Sequence, residues 1–258
     1  MEVIKIKAGY QQVFIGSDAH YWPGKKSTAH KAFYAQLKHN LVHVVILNGD
    51  MFDFPSISKY PPIGWEKYPT VKKEIEVVQE RLEEIAAAAR NCNPKVRLIW
   101  TLGNHDARFN KALAAKAPQF KNLPGTKLSD YFPQWEPCWR VEIGDVVVKH
   151  SLKGGTNPLK SNVLAAGKSI VTGHHHSQNV LAYTDYAGTR YAVDTGCLAA
   201  VDGPQFEYGE ANPTNWRAGF AVLNFIKGKV MPPRLVTVLD EKKGLIWSNG
   251  TLQDCTGA

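Results

Sequence analysis

The sequence predicts an α/β fold: a four-layer αββα sandwich in which two mixed β-sheets pack face to face and helices flank them. Three observations lead there. Short apolar runs alternate with helical segments through the first half, the second half is rich in β-type segments, and the apolar runs end in polar, chemically capable tripeptides or tetrapeptides. Strand–helix–strand alternation implies parallel pairing through right-handed crossovers. A β-rich half packed on it supplies the second sheet.

The elements follow in chain order. Val13-Phe14-Ile15 is a buried-strand run leading into Gly16-Ser17-Asp18-Ala19-His20. Residues 26–40 read as a helix with Ser27 as N-cap. Residues 42–47 form a second strand ending at Asn48-Gly49-Asp50. Residues 70–90 are an amphipathic helix, because Val71, Ile75, Val78, Leu82 and Ile85 recur at helical spacing with charged residues between them. Residues 96–102 form a third strand, ending at Gly103-Asn104-His105-Asp106. Residues 139–143 and 145–149, joined across Gly144, read as a hairpin. Ile170-Val171 leads to Gly173-His174-His175-His176, and residues 180–186, 190–193, 220–225 and 235–239 are further strands.

The whole chain, 1–258, is expected to form a single domain. Loop insertions are expected near 54–69, with four prolines and Tyr60, Trp65 and Tyr68, and near 205–216. The tail after 250 is expected to fray.

Composition narrows the class. Hydrophobic residues make up 44% and charged residues 21% of the chain, which excludes a disordered protein. No apolar stretch reaches the length of a membrane span, and residues 1–10 lack the apolar run of a signal peptide. Cys92, Cys138, Cys197 and Cys255 are scattered, without a Cys-x-x-Cys pair, as expected of reduced thiols in a cytoplasmic protein. The formal charge of +8 suits an anionic substrate, although dispersed basic residues serve a generally cationic surface equally well.

Carboxylate, imidazole and amide oxygen are the groups a hard or borderline divalent cation prefers. Asp18, His20, Asp50, Asn104 and His105 follow strands that a parallel sheet would gather at one edge. His150, His174 and His176 follow strands of the second half. The i, i+2 spacing of Asp18 with His20, and of His174 with His176, points each pair to one side of an extended chain.

Taken in order, Asp18-Ala19-His20, Gly49-Asp50-Met51-Phe52-Asp53, Gly103-Asn104-His105-Asp106, His150 and Gly173-His174-His175-His176 resemble the motif series of the calcineurin-like metallophosphoesterases. The resemblance implies the metallo-dependent phosphatase fold and two divalent metal ions, manganese first, with iron, zinc or nickel as alternatives. It implies that Asp18, His20 and His176 hold one ion, that Asn104, His150 and His174 hold the other, and that Asp50 bridges them. His105 would either bind the phosphate or protonate the leaving oxygen, with Asp53 as its partner. Arg108, one turn on, would reach a phosphate oxygen if a helix starts at His105. His175 departs from the family's small hydroxyl residue and reads as a surface histidine or one behind the ligands.

The implied activity is hydrolysis of a phosphate ester. Asp106 stands where the protein phosphatases have Glu and resembles the nuclease and cyclic-nucleotide branches, whereas Asp53 is matched among phosphatases. The basic charge and the aromatic insertion tilt the expectation to a phosphodiester, a nucleotide or DNA. A monoesterase of protein-phosphatase type and a catalytically silent nucleic-acid-binding module are the alternatives. No membrane partner is expected, and nothing in the sequence sets an oligomeric state.

Overall fold

The runs at 13–15, 44–47 and 98–100 are unbroken in apolar character because both of their faces are covered. In the computed structural model, which describes residues 3–60, 65, 67–209 and 212–257, the chain runs β1 (Val3–Ile6), β2 (Gln11–Gly16), α1 (Thr28–Leu37), β3 (Val44–Asn48), α2 (Val71–Cys92), β4 (Arg97–Thr101) and α3 (Asp106–Lys116). It continues through β5 (Glu136–Cys138), β6 (Arg140–Ile143), β7 (Val146–Val148), α4 (Pro158–Ala166), β8 (Ser169–Thr172), β9 (Asn179–Asp185) and β10 (Gly188–Asp194). It closes with β11 (Gly219–Ile226), β12 (Lys229–Val230), β13 (Arg234–Asp240), β14 (Leu245–Ser248) and β15 (Thr251–Asp254).

Among the described residues these strands form two mixed sheets. One has six strands in the order β1-β6-β7-β8-β10-β9; the other has nine, in the order β15-β14-β13-β11-β2-β3-β4-β5, with β12 paired to β11. The pairs β2–β3, β3–β4 and β4–β5 are parallel, as the strand–helix alternation requires. The hairpin across Gly144 is present, with Ile143 opposite Val146.

Alternate residues separate the layers. Phe14, Val45, Leu47, Leu98, Trp100 and Phe220 pack under α1 and α2. Their neighbours Val13, Ile15, Val44, Ile46 and Ile99 face the other sheet, meeting Val141, Val148, Val171 and Val193. On the far side of that sheet, Ile170 and Ala192 pack against Leu159 and Val163 of α4. The order is therefore helices, sheet, sheet, helix. Ser27 caps α1 by accepting from the His30 N–H, and Thr70 caps α2 by accepting from that of Lys73.

One region differs from expectation. The tail beyond 250 is not frayed: β15 pairs with β14, the buried Cys255 donates its N–H to the Gly244 carbonyl, and its side chain joins the core. The expected insertion at 54–69 opens with a single 3-10 turn, Pro55–Ile57, and its residues 61–64 and 66 lie outside the described residues. The insertion at 205–216 is helical at its start, in the 3-10 segment Pro204–Gly209, and residues 210 and 211 lie outside the described residues. Among the described residues, no helix is long and apolar enough to cross a membrane.

A candidate metal centre at the strand ends

Asp18 and His20 follow β2, Asp50 follows β3, Asn104 and His105 follow β4, His150 follows β7, and His174 and His176 follow β8. They converge at one edge of the sandwich, although not through extended backbone. Asp18, His20, Asp50, His174 and His176 all have positive φ, between 38° and 72°. The i, i+2 argument therefore gives way to a different cause: left-handed turns, held by the packing beneath them, aim each side chain separately. Non-glycine residues tolerate this geometry where surrounding structure enforces it, and such strain concentrates at functional sites.

Three sets of donor atoms, each close enough to serve one ion, result among the described residues. Asp18, His20 and His176 form the first, Asp50, His150 and His174 the second, and His20, Asp53 and His105 another that shares His20 with the first. His176 Nε2 lies 3.1 Å from Asp18 Oδ1, and His150 Nε2 lies 3.1 Å from Asp50 Oδ2. Ligand atoms about 2.1 Å from one ion at near-tetrahedral to octahedral angles stand roughly 3.0–3.4 Å apart, so these spacings fit a cation. The groups adjoin, with His150 Nε2 4.0 Å from Asp18 Oδ1. Asn104, exposed, places Oδ1 3.3 Å from His150 Nε2. The tautomers also fit. His150 Nδ1 is engaged by the Asn48 carbonyl at 2.8 Å, leaving Nε2 for the site. His20 Nδ1 meets Asp53 Oδ1 at 3.1 Å, while its Nε2 is buried with no hydrogen-bond partner. A buried imidazole nitrogen so oriented suits a Lewis acid.

The electrostatics favour ionised carboxylates at Asp18 and Asp50 and neutral imidazoles at His20 and His174, whereas at His150 burial lowers the pKa but the charges of Asp50 and Asp18 outweigh it and raise it to about 10. Burial pushes the Asp18 carboxyl up, but His176 and His150 outweigh it and hold its pKa at about 2. Burial likewise opposes ionisation of Asp50, and His150 overcomes it, leaving the pKa far below the ordinary carboxylate range. Burial lowers the pKa of His20, and burial with His150 lowers that of His174.

Glycines allow the close approach. A Cβ on Gly103 would fall inside contact distance of the Asp50 carboxylate, and one on Gly173 inside that of Asp18 and Ser17.

His105, Asp53 and Arg108 form a third cluster against the first group. His105 Nδ1 lies 3.0 Å from Asp53 Oδ1, the same oxygen that meets His20. Arg108, half-buried on α3, donates from Nη1 to the Asp53 carbonyl at 2.7 Å and brings Nη2 to 3.1 Å from His105 Nε2. The His20 and His105 rings meet edge to face at 4.7 Å. Burial lowers the His105 pKa, but hydrogen bonding to Asp53 and the charges of Asp50 and Asp53 outweigh it and raise it overall. His175 is half-buried, with Nε2 3.2 Å from the Lys153 carbonyl.

Three residues have roles that the motif reading does not assign. Asp106 is buried, and its carboxylate accepts the N–H groups of Asp50, Met51, Phe52 and Gly103 and the indole N–H of Trp100. It ties the turn after β3 to the turn after β4. Phe206 and Trp216, from the second insertion, pack on His176 at 5.2 and 5.4 Å, and Phe206 also on His20 at 5.3 Å.

The sequence pattern of the calcineurin-like phosphoesterases matches residues 13–199, and the chain belongs to that family. No curated protein matches it. Similar solved structures include a single-substitution mutant of Vps29 from Entamoeba histolytica, at 12% identity and TM-score 0.44, covering 94% of this chain and 96% of that one. Vps29 from Chaetomium thermophilum is 9% identical, with TM-score 0.42 and 94% of each chain covered. A dimetal phosphatase from Danio rerio is 10% identical, with TM-score 0.40, 89% of this chain and 95% of that one covered.

Proposed function

We propose that the chain is a dinuclear metal-dependent phosphodiesterase acting on a nucleotide or nucleic-acid ester. The observation that carries the reading is the pair of adjoining oxygen–nitrogen donor groups, Asp18-His20-His176 and Asp50-His150-His174, with His105 beside them. Asn104 would complete the second group, and Asp50 would be shared between the two ions. Bound there, two divalent cations, manganese first, would supply Lewis acidity and an activated water.

The chain's own residues do the rest. The His105 N–H holds Asp50 Oδ1 at 2.8 Å and so fixes the orientation of the bridging carboxylate. Asp53 holds His105 Nδ1 and orients Nε2. Arg108 occupies Nε2 at 3.1 Å before substrate arrives; drawn to a phosphate oxygen, it frees that nitrogen to carry the proton given to the leaving oxygen. Burial lowers the His105 pKa, but the Asp53 hydrogen bond raises it, which suits this acid role. The link between Asp53 and His105 also supports a phosphatase-like monoesterase as the second reading. The four unpaired thiols suit a reducing compartment such as the cytoplasm.

The test is turnover of a chromogenic diester and a chromogenic monoester by manganese-loaded protein, with and without chelator. The diester should be hydrolysed faster and chelator should abolish both reactions. Faster monoester turnover would favour the second reading, and no turnover of either, or of nucleotides or DNA, would leave a binding module.

A further inference from the structure

The insertion that begins at Pro204 does more than cover the ligands. Phe206 is buried against His20 and His176, whereas Trp216 is only half-buried. Arg217 follows it, its N–H bonded to the His176 carbonyl at 2.7 Å, so its position is fixed relative to a metal-group histidine. Its side chain is exposed and enters no ion pair among the described residues. Trp216 and Arg217 form walls of an open cavity of about 310 Å³, lined also by Val201, Thr237, Leu239 and Glu241, whose carboxyl pKa burial raises. Val201 and Leu239 leave 37% and 57% of their surface exposed, so the cavity offers apolar walls to solvent.

We propose that this cavity is a nucleoside subsite, in which Trp216 stacks on the base and Arg217 holds a neighbouring phosphate oxygen. The proposal rests on the diester reading above and names the substrate's second arm. An aromatic face beside a guanidinium is the combination that binds single nucleotides, with stacking supplying most of the affinity. The volume lies at the lower end of small-ligand pockets, roughly 300–1,000 Å³, room for one nucleoside. The edge-to-face contact of Trp216 with His176, at 5.4 Å, sets one wall of the subsite against the first donor group.

The experiment compares two diesters with one leaving group: the p-nitrophenyl ester of thymidine 5′-phosphate and methyl p-nitrophenyl phosphate. Because the departing phenolate is the same, the ratio of their kcat/KM values reads the nucleoside arm alone, whatever general damage a variant suffers. Wild-type protein should favour the nucleoside ester by at least about tenfold, mainly through KM. Trp216→Ala should bring the ratio close to one, Trp216→Phe should keep most of it, and Arg217→Gln should lower it severalfold. A ratio near one in the wild type, or an unchanged ratio in Trp216→Ala, overturns the subsite and leaves diester hydrolysis standing. Metal-loaded protein that turns over neither ester overturns both.

Discussion

Asp53 Oδ1 lies 3.1 Å from Nδ1 of His20, and the same oxygen lies 3.0 Å from Nδ1 of His105. One carboxylate therefore orients two imidazoles, one in the first donor group and the other packed beside it. Burial opposes its charge, yet bonding to His105 and His20 holds its pKa well below the ordinary range.

This sharing separates two variants. Asp53→Asn should weaken metal affinity about 10–100-fold, as loss of a partner behind a ligating histidine does, and lower turnover as well. His105→Ala should keep its metal and lose about 10²–10⁴ in turnover, most for esters with poor leaving groups. Metal titration and a leaving-group series on both variants check this; a His105→Ala protein without metal would contradict the assigned roles.

Gly103→Ala should disable the site without removing any ligand. Its methyl would overlap the Asp50 carboxylate and backbone N–H, so Asp50 must move. The expected result is loss of bound metal and of activity together, with the fold retained by circular dichroism. Full metal occupancy in this variant would count against the placement of Asp50.

Glu74 makes stability depend on pH away from the ligands. It is buried on α2, accepts the Phe54 N–H at 2.7 Å, and burial pushes its pKa from 4.5 up to about 8. The folded state keeps this proton after the unfolded state has lost it. The stabilisation is thus complete below about pH 4.5 and is lost as pH rises to about 8. Each pH unit in that window costs about 1.4 kcal/mol. Glu74→Gln, which retains a carbonyl acceptor, should show a flatter thermal midpoint between pH 5 and 8 than the wild type. Parallel profiles would refute the assignment.

The legible parts of the fold were those whose burial leaves a pattern in the side chains. β3 and β4 read clearly because two covered faces demand unbroken apolar runs, and α1 and α2 because Ser27 and Thr70 cap amphipathic stretches. β15, with Thr251, Leu252, Gln253 and Asp254, is mostly exposed and shows no such run, and β5 contains Pro137. The candidate ligand residues stand out as strand-end motifs, but their left-handed turns do not, since Asp and His adopt positive φ only as a minority and their identity does not announce it. Asp106 binds backbone N–H groups more than fifty positions away, and such partners leave no trace in side-chain identity. The docking of Phe206 and Trp216 on His176 is likewise a tertiary event of an aperiodic loop.

Metal stoichiometry tests the central claim most directly. Protein equilibrated with excess manganese, freed of unbound ion and assayed by mass spectrometry should carry two equivalents per chain, falling to one or fewer in Asp50→Asn. A fully active wild type that saturates at one equivalent would contradict the account.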